Sequence, residues 1–227
     1  MLAAIVGLLL LWPMAAMASA LVVPPAPQRL EEMEQALARI ADGDEPELWT
    51  HAATDARTVA DAWASLRDGA EGEHLGSMLV WRLDTISEYL PDAVEHRDAF
   101  RSRAAAVVGL HLLVPLRGHF RVEGDVAFRR LRVELREVAV YAQAGELVRA
   151  ERARGRANHL WKRVRGVVEQ RARNRRNRFG QVGSYFDFCF HELAVASSER
   201  DGVRLHRAAQ SALELTEFAR TLLESWR

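Results

Sequence analysis

From residue 29 onward, apolar residues recur every three to four positions, the spacing that lines one face of an α-helix. Leu30, Met33, Leu37 and Ile40 form the first stripe, which Gly43-Asp44-Glu45-Pro46 breaks. Ala52, Ala56, Val59, Trp63 and Leu66 form the second, closed by Gly69 and Gly72. Leu75, Leu79, Leu83, Ile86 and Leu90 form the third, which the pattern stops at Pro91. Phe100, Ala104, Val107, Val108 and His111 form the fourth. Residues 114–125 hold Pro115, Gly118 and Gly124, lose the period, and read as a linker. Four more stripes follow, through Phe128–Ala142, Leu160–Val168, Val182–Leu193 and Ala208–Trp226. No alternating stretch is long enough to make a useful strand, so the expected fold class is all-α.

The pattern contains a repeat. Shifting residues 84–112 by 103 positions onto 187–215 gives ten identities in 29 positions, including Asp84/Asp187, Leu90/Leu193, Arg97/Arg200, Asp98/Asp201 and Arg101/Arg204. Shared amphipathicity would match apolar positions; it would not match an Arg-Asp pair. The expectation is two related four-helix halves, residues 29–113 and 126–227, packed as a helical bundle or as repeated helical hairpins. Within the second half, Val138–Ala153 reads VAVYAQAGELVRAERA. It resembles the inter-helix turn of a tetratricopeptide repeat, with Tyr141, Gly145 and Ala150 at the family's Tyr, Gly and Ala. The resemblance spans 16 residues and implies a helix break near Gly145. The helical hairpins here recur at about 50 residues, against the ~34 of that family.

The first 28 residues depart from this pattern. They carry no charged side chain, and Leu2–Ala18 is almost wholly apolar, interrupted by Pro13. Ala18-Ser19-Ala20 has the small-x-small form of a signal-peptide cleavage site, so residues 1–20 are expected to direct export to a periplasmic or extracellular space. Residues 21–28 then form an extended, proline-rich leader. No Lys or Arg precedes the apolar run, and about 20 apolar residues can span a bilayer, so a retained membrane tether is the alternative. The single cysteine, Cys189, has no partner in the chain for a disulfide.

Net charge is zero, but the average hides a split. Residues 21–100 hold seventeen acidic residues against six arginines, and residues 101–227 hold fourteen acidic residues against twenty-five Lys and Arg. Twelve cations fall within Arg149–Arg178. Lys162 and Arg163 lie in an amphipathic helical pattern, and Arg171, Arg173, Arg175, Arg176 and Arg178 form the tail that follows. Two destinations for these charges are expected. Acidic and basic halves can face each other, within one molecule or in a homo-oligomer, since the guanidinium fork suits carboxylates. The arginine run can bind a partner protein or an anionic envelope surface. Nucleic acid is not expected as a partner of an exported chain.

Catalytic signatures are absent: there is no GxSxG, HExxH, phosphate loop or dinucleotide glycine pattern. The chain therefore reads as a non-enzymatic interaction protein that calls for no cofactor. The alternative is a metal- or haem-binding bundle. Asp84 and Glu88 are an i,i+4 pair, repeated as Asp187 and His191. Such pairs share a helix face and would supply four metal ligands if the third and seventh helices packed together. Met33 and His111, early in the first helix and late in the fourth, have the residue types that hold haem across a four-helix bundle, as in proteins similar to cytochrome b562. Asp98 and Asp201 are expected to cap helices.

Overall fold

A computed structural model describes residues 28–43, 45–69, 75–118, 126–172 and 179–224. Among these residues it is all-helical, with no strand: α1 (Gln28–Asp42), α2 (Glu45–Asp68), α3 (Ser77–Glu95), α4 (Ala99–Gly118), α5 (Val126–Gln143), α6 (Leu147–Ala172), α7 (Phe179–Ser198) and α8 (Gly202–Glu224). The apolar stripes become the core. Leu30, Met33, Leu37, Trp63, Leu83 and Leu90 are sealed from solvent in one cluster, and Leu131, Leu135, Trp161, Phe186 and Leu193 in another.

Around the first cluster, α1 packs on α2 and α4, and α3 on α2 and α4. Around the second, α5 packs on α6 and α8, and α7 on α6 and α8. The α4–α5 contact joins the two groups, with α1 also touching α5. Contact with α1, α3 and α5 makes α4 apolar around much of its circumference, because a helix enclosed by neighbours has little face left for polar side chains. By length and composition alone α4 is apolar enough to cross a membrane, and more than half of its most apolar window is buried inside the protein.

Two prolines do not end their helices as the periodicity suggests. α3 runs through Pro91 to Glu95 and α4 through Pro115 to Gly118. An internal proline costs about 3 kcal/mol. Continuing α3 buries Ala93 and Val94, and continuing α4 buries Leu116, and each large aliphatic side chain so buried returns about 1.5–3 kcal/mol. Part of the expected linker is therefore core helix.

The turn between α5 and α6 lies where the sequence places a break. Gly145 has φ +75°, the N–H of Glu146 donates to Tyr141 O at 2.8 Å, and that of Gly145 donates to Ala142 O at 3.1 Å. These paired bonds close a helix C-terminus through a left-handed residue. The α3–α4 and α7–α8 turns use the same bonds, with Arg97 (φ 51°) and Arg200 (φ 55°) in the left-handed position. Asp98 and Asp201 follow. Each accepts a backbone bond at 2.9 Å from the residue three positions on, Arg101 and Arg204, and so caps the next helix. At the start of α8, a side chain at Gly202 would lie 2.8 Å from Ala142 O, so glycine is what lets α8 approach the end of α5 so closely.

Candidate anionic-surface interface

The arginines divide into those consumed inside the protein and those left outside. On α5, Arg129 donates to both oxygens of Glu34 at 3.2 Å, and Arg136 makes a two-pronged contact with Asp42 at 2.7 and 2.6 Å. Glu34 and Asp42 both lie on α1, so the acidic and basic parts of the chain meet within one molecule. Arg117, at the end of α4, also bonds Glu34. Arg103, 5% exposed, reaches from α4 to Gln143 Oε1 at 2.5 Å and to Gly43 O at 2.6 Å, tying α4 to α5 and to the end of α1. Arg39 grips the buried Asp55 through three bonds of 2.6–3.1 Å, joining α1 to α2.

α6 presents the opposite situation. Its inner face buries Ala150, Ala153, Ala157, Leu160, Trp161 and Val164. The alanines let α6 lie close against its neighbours, while the outer positions 149, 152, 156, 159 and 163 fall on one exposed stripe. Arg149 stacks over the Tyr141 ring at 5.4 Å, and Arg156 turns inward to carboxylates. Arg152, Lys162 and Arg163 are exposed and make no hydrogen bond or ion pair among the described residues. A helix buried on one side and carrying unpaired cations on the other can accept anionic groups without breaking an internal contact. Arg171, Arg173, Arg175, Arg176 and Arg178 have side chains outside the described residues.

Of the four residues considered as metal ligands, Asp84 and Asp187 have partners within the protein. Asp84 Oδ1 accepts the indole N–H of Trp63 at 2.7 Å and a guanidinium N–H of Arg67 at 3.1 Å. Asp187 accepts the indole N–H of Trp161 at 3.1 Å and faces Arg165 at 3.0 Å. The same Trp-Asp-Arg triplet thus stands in both groups of helices. Glu88 and His191 are exposed, and since α3 neighbours α2 and α4 while α7 neighbours α6 and α8, the two pairs do not converge. Met33 is sealed in the first core, whereas His111 Nε2 is turned to Glu137 Oε2 at 2.7 Å, so the two face different partners.

His111 belongs to a cluster that the sequence did not single out. Its ring nitrogen and the carboxylates of Glu134 and Glu137 offer ligand atoms within 4.8 Å of one another. Arg156 already bridges both carboxylates at 2.7 Å and supplies the cation. Burial pushes the Glu134 carboxyl above the ordinary range, only partly offset by Arg156. Burial also acts on Glu137, but bonds from His111 and Arg156 outweigh it and hold that carboxyl below the range. The i,i+3 spacing of the two glutamates was visible; their approach to His111 across 26 positions was not. Cys189 is buried among the aromatic rings of the second core, and burial, aided by Glu192 and Glu214, pushes its thiol up and away from nucleophilic reactivity.

No protein-family model matches the chain, and no curated protein or solved structure is significantly similar to it.

Proposed function

We propose that this is an exported, non-enzymatic helical protein that docks on an anionic envelope surface through the outer face of α6, continuing into Arg171–Arg178. The carrying observation is the division of the arginines. Arg129 and Arg136 of α5 are committed to Glu34 and Asp42, whereas Arg152, Lys162 and Arg163 of α6 are exposed and unpaired among the described residues. Each Lys or Arg near an anionic bilayer contributes about 1 kcal/mol, so several in one line make a useful affinity without a pocket. The small-x-small segment Ala18-Ser19-Ala20 supports export. An acidic partner protein is the second reading, favoured by the exposed aromatic side chains Trp81, Tyr185 and Phe188 on α3 and α7.

We further infer that α1–α4 and α5–α8 are related by duplication. Supporting this are the ten identities at offset 103, the Trp63-Arg67-Asp84 and Trp161-Arg165-Asp187 triplets, and the left-handed arginines followed by capping aspartates in both groups.

The test is fractionation of cells expressing the full chain. With Lys162, Arg163, Arg173, Arg175, Arg176 and Arg178 changed to Gln, association with the envelope should weaken and become less sensitive to salt. Association that is unchanged by these substitutions and insensitive to salt would remove the proposal.

A further inference from the structure

Along the seam where α1 and α4 meet α5, and on α8 beside α5, the guanidinium groups outnumber the carboxylates that contact them. Arg117, Arg129, Arg132, Arg136 and Arg220 meet Glu34, Asp42 and Glu217. The groups are continuous. Glu34 bonds Arg117 and Arg129 and acts electrostatically on Arg132; Glu217 forms ion pairs with Arg132 and Arg220 and senses Arg136. Two of the cations lie deeper than any of the three carboxylates. The Arg117 and Arg136 side chains are 7% and 8% exposed, against 24%, 39% and 44% for Glu34, Asp42 and Glu217. Glu31, which also acts on Arg117, is exposed, and so is Arg220, so water screens both.

Arg117 sharpens the imbalance. One of its terminal nitrogens bonds Glu34, but Nε and Nη1 are buried and have no acceptor among the described residues. A buried guanidinium with two idle donors is costly, and buried polar groups of this kind normally have a partner. Burial, only partly offset by Glu34, lowers its proton affinity; burial and the neighbouring Arg136 do the same to Arg132.

We propose that this seam is a binding site for a phosphate group, held by Arg117, Arg129 and Arg132. Phosphate carries about −1.5 to −2 charges near neutral pH, which matches the surplus better than one carboxylate does. It also offers several acceptor oxygens to guanidinium forks arriving from two helices. Binding there would clamp α4 to α5, the contact that joins the two groups of helices. The site is separate from the outer face of α6, and its ligand is a small free or esterified phosphate rather than a surface.

Inorganic phosphate titrated into the full chain, at ionic strength held constant with chloride, tests this. The expected result is saturable binding of one equivalent and slower hydrogen exchange at Arg117 Nε. Arg132→Gln should weaken binding tenfold or more, and Arg132→Lys, which keeps the charge and loses the fork, several-fold. Arg163→Gln, on the outer face of α6, should leave phosphate binding unchanged while weakening envelope docking, so failure of one proposal is distinguishable from failure of the other. If Arg132→Gln does not fold, Arg132→Lys decides. Absence of saturable heat, equal effects at positions 132 and 163, or Arg117 Nε exchange indifferent to phosphate (a buried water only) would overturn the site.

Discussion

Replacing Asp84 with alanine tests the structural reading at a point where the magnitudes separate cleanly. Trp63 is 1% exposed, and its indole N–H finds Asp84 Oδ1 at 2.7 Å. A buried donor left without an acceptor costs about 1–3 kcal/mol. The Arg67 contact with the same carboxylate is solvent-exposed and adds at most about 1 kcal/mol. Asp84→Ala should therefore lose about 2–3 kcal/mol, a fall of ~5–10 °C in Tm for a chain of this size. Asp84→Asn keeps an amide oxygen for the indole and gives up only the charge, so its cost should stay below about 1 kcal/mol. The second triplet should rank its variants the same way. Its Trp-Asp bond is longer, at 3.1 Å, and Trp161 is additionally held by stacking on Phe186 at 4.4 Å, so Asp187→Ala should cost about 1–2 kcal/mol. Urea unfolding followed by tryptophan fluorescence and by circular dichroism, with unchanged denaturant slopes, measures each difference. If Asp84→Ala lay within 0.5 kcal/mol of wild type, or Asn were as harmful as Ala, the indole–carboxylate bond would not be the stabilising contact and the reasoning would fail.

Other outcomes follow from the same structure. Arg97→Gly and Arg200→Gly should each stabilise by about 1 kcal/mol in thermal melts, because both positions hold left-handed backbone that glycine adopts without steric cost; Gly145→Ala should destabilise by a similar amount. Glu137 is held ionised by His111 and Arg156, so its folded affinity for protons lies below its unfolded affinity. The stability it contributes is present above the unfolded pKa and lost as pH falls through the folded one; Glu137→Gln should remove that acid-side loss and lower stability at neutral pH, read from unfolding curves across pH. Glu134 has the opposite shift, so Glu134→Gln should cost less than Glu137→Gln near pH 7 and gain nothing on acidification. Arg152, Lys162 and Arg163 changed together to Gln should leave stability within about 0.5 kcal/mol of wild type, since none has an internal partner among the described residues.

The helices were largely legible because most bury a stripe of period 3.6, which survives in sequence as spacing; α4, enclosed by three neighbours, buries more than one face. Trp63, Leu83, Phe186 and Leu193 are all core, as their stripes imply. Pro91 and Pro115 misled because propensity is local, whereas the burial of Val94 and Leu116 that offsets it depends on helices distant in sequence. Capping by Asp98 and Asp201 was legible for the converse reason, since a cap acts within three residues. The charge split allowed opposite signs to meet within one molecule, but did not show that Glu34 would reach Arg129 or Asp42 reach Arg136, pairs 95 and 94 positions apart. Asp84 and Asp187 looked like ligands because an i,i+4 pair of ligand-type residues on one helix face is what a metal site needs. The tryptophans that claim them lie on neighbouring helices, and no spacing rule links the two.

The most direct test of the central claim is co-sedimentation of the full chain with phosphatidylglycerol vesicles over a range of salt concentrations. If the outer face of α6 is the docking surface, wild-type protein binds at low salt and is released as salt rises. Changing Arg152, Lys162 and Arg163 to Gln then removes three favourable contacts of about 1 kcal/mol each, weakening binding roughly 100-fold and flattening the salt dependence. Identical salt curves for the wild type and the triple variant, with the variant folded, would contradict the account.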